Sequence, residues 1–139
     1  MYKDPNYRRE LIMKHYMKPL LKKQSEKKET IYYHSNQCVD EVKIYLTMEK
    51  DIVKDVFWDG QGCAVFQSSA DIFLSMIKDK DINYINSLIE NYEALINRVG
   101  SYDEDILGDL MIYFNVGEHL NRAVCAKMVS EAMKQLGGE

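Results

Sequence analysis

No stretch of this chain approaches the roughly 18 consecutive apolar residues that a membrane-spanning helix requires, so a membrane protein of that kind is not expected. The opening residues, Met1 to Glu10, carry too many charges for a secretory signal, and a cytoplasmic location is the expectation. There are only three cysteines, an odd number, which disfavours a disulfide framework. They fit a reducing compartment in which thiols serve packing, metal binding or chemistry. Internal repeats and low-complexity segments are missing. So is any pair of cysteines at zinc-finger spacing, and no Ser/His/Asp or paired-carboxylate arrangement of a stand-alone hydrolase can be placed.

What is present suits one core. The 139 residues are 46% hydrophobic and 29% charged, which predicts a single domain over residues 1–139. The net charge of −4 is unevenly distributed, with nine Lys or Arg against four acids in residues 1–30 and nine against eighteen in the rest. Lys14, Lys18, Lys22 and Lys23 read as the solvated face and exit of a first helix. The overall excess of acid argues against a nucleic-acid partner.

Periodicity sets the fold class. Residues 6–18 read as a helix with Leu11, Ile12 and Tyr16 on one side, ended near Pro19, which lacks an amide proton and restricts the residue before it. Lys22 to Thr30 is a polar connector. Residues 30–58 then read as three strands: Thr30 to His34, an alternating run with Val42, Ile44, Leu46 and Met48 on one face, and a return strand Asp51 to Trp58 after a reversal at Glu49-Lys50. Beyond Gly60 the apolar period becomes helical, with Val65, Ile72, Phe73, Met76 and Ile77 on one stripe and Ile82, Ile85, Ile89, Tyr92 and Ile96 on a second. A short helix near Asp105 to Phe114 and a last one from about Glu118 to Gln135 complete the run of helices over residues 63–136. The expected fold is α+β, a three-stranded antiparallel sheet packed by N-terminal and C-terminal helices.

Four positions carry potential chemistry. Cys38 and Asp40 stand two apart in a polar turn between strands, where a thiolate and a carboxylate can meet one zinc ion, or where a small surface cysteine merely neighbours a turn aspartate. Cys63 follows Gly60-Gln61-Gly62 at a helix start, a place that favours a thiolate; a buried small side chain is the alternative. Cys125 falls on the apolar face of the last helix beside Met128, Val129 and Ala132, as a core cysteine would. Arg122, one turn earlier, is the residue that can hold it as a thiolate.

The order and flanks of these segments resemble the NifU/IscU/SufU family, SufU-type, over about residues 6–136. The opening Tyr7-Arg8-Arg9-Glu10-Leu11-Ile12-Met13-Lys14-His15-Tyr16 is similar to that family's first helix. Cys38-Val39-Asp40 resembles its Cys-Gly-Asp turn, and Gly60-Gln61-Gly62-Cys63-Ala64 with Ser68, Ser69 and Ala70 resembles its Gly-x-Gly-Cys helix start. Leu107-Gly108-Asp109 and Arg122-Ala123-Val124-Cys125-Ala126 look like the later SufU motifs. Val124 occupies the place where IscU-type members have a His, and Val39 stands for the family glycine.

The resemblance implies a SufE/NifU-like fold and a zinc site made of Cys38, Asp40, Cys63 and Cys125. It implies that Cys38 accepts persulfide sulfur from a SufS-type, PLP-dependent cysteine desulfurase, for delivery to a downstream cluster scaffold or apo-protein. Two other readings stay open: a scaffold that assembles a transient [2Fe–2S] cluster on the same residues, and an interaction domain whose zinc is purely structural.

Overall fold

The computed structural model describes residues 1–35 and 40–137. Helix α1, Pro5–Met17, starts one residue before the sequence expectation, because Asp4 caps it by accepting from the Asn6 amide and Pro5 needs no amide partner in the first turn. Its buried residue is His15, whereas Tyr16, expected on the apolar side, is 38% exposed.

Strands β1 (Ile31–His34), β2 (Glu41–Glu49) and β3 (Ile52–Gln61) form an antiparallel sheet in the order β1-β2-β3. The reversal falls at Lys50, whose φ of 58° lets the chain turn back, and the register shifts between Thr47 and Met48. Val42, Ile44, Val53, Val56 and Trp58 point into the core. Tyr45 is buried as well, on the opposite face, where it stacks on its cross-strand neighbour Phe57 at 4.5 Å.

β3 runs three residues past the predicted end at Trp58, because Gly60 pairs with Val42 and Gln61 with Glu41. A side chain at Gly60 would strike the Glu41 carbonyl oxygen, so only glycine lets the two strands close there. The outer edge of β3 is partly covered by the connector read as polar: Trp58 donates its amide to the Leu21 carbonyl and Lys23 donates to the Trp58 carbonyl.

The core-facing side of the sheet and α1 are packed by helices. These are α2 (Ala64–Ile77), α3 (Ile82–Asn97), a single turn α4 (Glu104–Leu107) continuing as a 3-10 helix over Gly108–Tyr113, and α5 (Leu120–Met133). The predicted helix near 105–114 is thus an α turn followed by tighter 3-10 geometry, with Gly108 at positive φ between them. Two buried hydroxyls tie the helices together: Tyr92 donates to the Ala126 carbonyl at 2.7 Å, and Tyr113 pairs with Ser68.

The centre of the polar framework is Asp71 on α2, which is fully buried. Its oxygens accept from the Leu20 and Leu21 amides at 2.8 and 2.9 Å and from the Trp58 indole at 3.0 Å, and one lies 2.7 Å from His15 Nδ1. One carboxylate therefore joins α1, the connector, β3 and α2. It fixes the end of β3 against the start of α2, where Cys63 sits.

Candidate metal centre

Three elements deliver one chemical group each to a single point. Asp40 lies immediately before β2, and its carbonyl accepts from the Ser35 amide. Cys63 is the N-cap of α2, between the end of β3 and the helix, with extended backbone and no side-chain capping bond. Cys125 lies in the middle of α5. One ligand atom from each of Asp40, Cys63 and Cys125 lies within 4.8 Å of the others, and Cys125 Sγ is 3.6 Å from Asp40 Oδ2. Cys38 and Val39, with the rest of residues 36–39, lie outside the described residues.

The surroundings of the three groups grade from dry to wet. Asp40 is buried, Cys125 half-buried and Cys63 exposed. Burial raises the Cys125 thiol well above its ordinary value, helped by a hydrogen bond with Cys63 and by the negative charge of Cys63 and Asp40. Two thiols and a carboxylate crowded into one point repel one another once ionised, and a cation between them removes that repulsion.

Tetrahedral zinc holds thiolates at about 2.3 Å, which places neighbouring ligand sulfurs about 3.8 Å apart. The spacing of the three groups is close to that requirement. The donor set also suits zinc, being thiolate-rich with one carboxylate. The residues fit the ion that the resemblance implies, and a fourth donor completes a tetrahedron.

Two supports hold the centre in shape. Gly62 packs directly under Asp40: a methyl group there would come within 2.6 Å of Asp40 Cγ and 2.5 Å of Phe66 Cδ2. The glycine is required by that close approach, since its φ is not in the left-handed region. On the other side, Gln67 Nε2 donates to the Gly62 carbonyl at 2.8 Å while its Oε1 accepts from Lys22 Nζ at 2.8 Å. Gln67 does not stand out in the sequence, and Lys22, read there as part of a solvated face, is half-buried and paired. The only signal for Gln67 is its position one helical turn after Cys63, on the first turn of α2.

Arg122 is exposed and lines a groove against α1 together with Arg8 and Arg9. Among the described residues it has no hydrogen bond or ion pair, and the groups that act on the Cys125 thiol are Cys63 and Asp40. No helix of the described chain is long and apolar enough to cross a membrane.

A small α+β fold with two thiols and a carboxylate converging at the sheet-to-helix junction is the architecture of the NifU-like proteins. This chain belongs to the NifU/IscU/SufU family, SufU-type, and its residues 6–126 match the NifU-like N terminal domain. It is 32% identical over 103 residues to the iron–sulfur cluster assembly scaffold protein IscU of Thermotoga maritima, covering 71% of this chain and 72% of the relative. It is 27% identical over 128 residues to the zinc-dependent sulfurtransferase SufU of Bacillus subtilis, covering 91% and 86%.

Solved structures agree on the fold. A protein from Fervidobacterium islandicum, described as an iron–sulfur cluster assembly scaffold for the SUF system, superposes with a TM-score of 0.83 at 23% identity, covering 91% of this chain and 93% of the other. The N-terminal part of a nitrogen-fixing NifU-like protein from Brucella abortus gives 0.78 at 17% identity, with 90% and 88% covered.

Proposed function

We propose that this protein acts in iron–sulfur cluster assembly as a zinc-dependent acceptor of persulfide sulfur from a PLP-dependent cysteine desulfurase of the SufS kind. The observation that carries the reading is the convergence of Asp40, Cys63 and Cys125 within 4.8 Å, two residues along the chain from a third cysteine, Cys38. The curated relative matched over most of both chains is itself named a zinc-dependent sulfurtransferase.

In this reading Cys38, Asp40, Cys63 and Cys125 would hold the zinc, which would supply charge that keeps a bound thiol deprotonated at neutral pH. Asp40, Cys63 and Cys125 stay in place, fixed by Gly62 and by the packing of α5. Cys38 would be the residue that receives the sulfur. Its thiolate attacks the terminal sulfur of the desulfurase persulfide: a new sulfur–sulfur bond forms on Cys38, the donor's sulfur–sulfur bond breaks, and the donor cysteine departs as a thiolate. No net oxidation or reduction occurs. Arg122, three residues before Cys125 on α5, is the guanidinium assigned to steady the negative charge that the exchange exposes. A downstream scaffold or apo-protein then takes the sulfur. The proposed setting is the cytoplasm, a reducing compartment in which the thiols stay free for this exchange.

Protein purified without chelators is expected to carry about one zinc per chain and to accelerate desulfurase turnover, with Cys38→Ala retaining the fold but losing the acceleration. Acceleration by Cys38→Ala equal to wild type ends the acceptor reading.

A second reading has its own support in the identity to the Thermotoga scaffold: assembly of a [2Fe–2S] cluster on the same residues. Anaerobic reconstitution that yields a stable cluster transferable to an apo-ferredoxin establishes it in place of the first. Zinc binding combined with inertness toward every persulfide donor leaves a structural zinc in an interaction domain.

A further inference from the structure

Beside the centre lies a groove of about 360 Å³ between α1, the start of α2 and the segment leading into α5. Ile12, Met13 and Val65 contribute to its mainly apolar lining, Arg8, Arg9 and Arg122 supply three guanidinium groups, and among the described residues no carboxylate lines it. Arg8 is engaged, donating to the Tyr2 carbonyl at 3.1 Å and lying over the Phe114 ring. Arg9 and Arg122 are exposed, and among the described residues neither has a hydrogen bond or ion pair. In a chain with a net charge of −4, this is a local reversal of sign.

The apolar surface continues along α1. Met13 is 40% exposed, Tyr16 38% and Met17 70%, spaced three and four residues apart and therefore on one stripe of the helix. Leu20, 64% exposed, follows just beyond the helix end. Long apolar side chains grouped on one exposed stripe, beside arginines that have no partner among the described residues, mark an interaction surface more than a solvated face.

We infer that this groove, with the exposed stripe of α1, docks an acidic segment of the sulfur donor that carries an apolar anchor side chain. Charge complementarity selects the occupant: the carboxylates pair with Arg9 and Arg122, and the apolar side chain fills the space lined by Ile12, Met13 and Val65. Position explains the use. Val65 is two residues after Cys63 and Arg122 three before Cys125, so a segment seated here stands alongside the thiols and brings the donor's reactive cysteine to them. The inference rests on the sulfur-acceptor reading above and adds the surface through which the donor is held.

The test measures binding of a purified SufS-type cysteine desulfurase to the zinc-loaded full chain by calorimetry at low and high salt. Arg9→Glu and Met13→Asp serve as variants; both positions are solvent-exposed and outside the metal centre. Each variant is expected to retain zinc and melting temperature yet bind at least about tenfold more weakly. Added salt weakens wild type, while Arg9→Glu has lost most of that dependence. Wild-type affinity in both variants, with wild type itself binding and accepting sulfur, overturns the docking inference and leaves the functional reading intact. Absence of any wild-type binding or sulfur acceptance overturns both. A concentration-dependent dimer abolished by Arg9→Glu assigns the groove to a second copy of the chain, which also overturns it.

Discussion

His15 Nδ1 and Asp71 Oδ2 lie 2.7 Å apart although 56 residues separate them, and both side chains are almost wholly removed from solvent. This contact, with the three further donors to Asp71, ties α1 and the connector to β3 and α2, the elements that lead into Cys63, rather than leaving them a leading appendage. Asp71→Ala strands the Trp58 indole, two backbone amides and the histidine without their acceptor. The expected cost is about 3–5 kcal/mol, seen as a loss of roughly 10–20 °C in melting temperature of the metal-free protein. A loss of only a degree or two refutes the assignment of Asp71 as the hub.

Gly62→Ala places a methyl group against Asp40 and Phe66. Overpacking there costs about 1–3 kcal/mol and pushes the carboxylate away from the thiols. Zinc affinity, measured by competition with a chromophoric chelator, should fall at least about tenfold. Unchanged affinity means that Asp40 is not a ligand or that the turn yields freely.

Gln67→Leu removes both the bond to the Gly62 carbonyl and the anchor for Lys22 while nearly keeping the side-chain volume. The peptide that leads into Cys63 loses its restraint. Cobalt-loaded protein should show a shifted thiolate charge-transfer band, and zinc should bind about 10–100-fold more weakly. Gln67→Glu, which keeps the partner of Lys22 but presents no donor to Gly62, should behave like Gln67→Leu in the cobalt spectrum. If the glutamate variant matches wild type instead, the bond to Gly62 plays no part.

The raised Cys125 thiol gives the metal-free protein a signed pH dependence. The folded chain keeps this proton to higher pH than the unfolded chain, whose thiols titrate near about 8.5. The contribution to stability is therefore complete below about pH 8.5 and is lost as pH rises. Urea unfolding between about pH 8 and about pH 10, below the range of the buried tyrosines Tyr92 and Tyr113, should show declining stability in wild type and a flatter profile in Cys125→Ala. Equal slopes in the two proteins remove Cys125 as the cause.

Much of the architecture was legible because local pattern and tertiary environment agree. The alternation from Val42 to Met48 became β2, and the two helical stripes became α2 and α3, since each apolar period matches the face it buries. Tyr16 and Tyr45 were harder to place. An aromatic residue is compatible with either face, and only the neighbours decide: Tyr45 finds Phe57 to stack on, and Tyr16 finds no cover. The helix at 104–113 was visible as helix but not as 3-10, because the tighter winding follows from Gly108 at positive φ rather than from residue type.

Residue type and period are local properties, so the elements, the family and the set of groups competent to bind a metal could be read along the chain. Convergence is not local. Asp40 and Cys125 are 85 residues apart and Asp40 and Cys63 are 23, and their meeting depends on the β2–β3 register, on glycine beneath Asp40 and on α5 packing beside β1 and against α2. The roles of Lys22, Gln67 and Asp71, and the grouping of Arg9 with Arg122 across 113 positions, were likewise decided only by the tertiary structure. The physical reason is that a polar side chain's function depends on which donors, acceptors and charges the fold brings within a few ångströms of it.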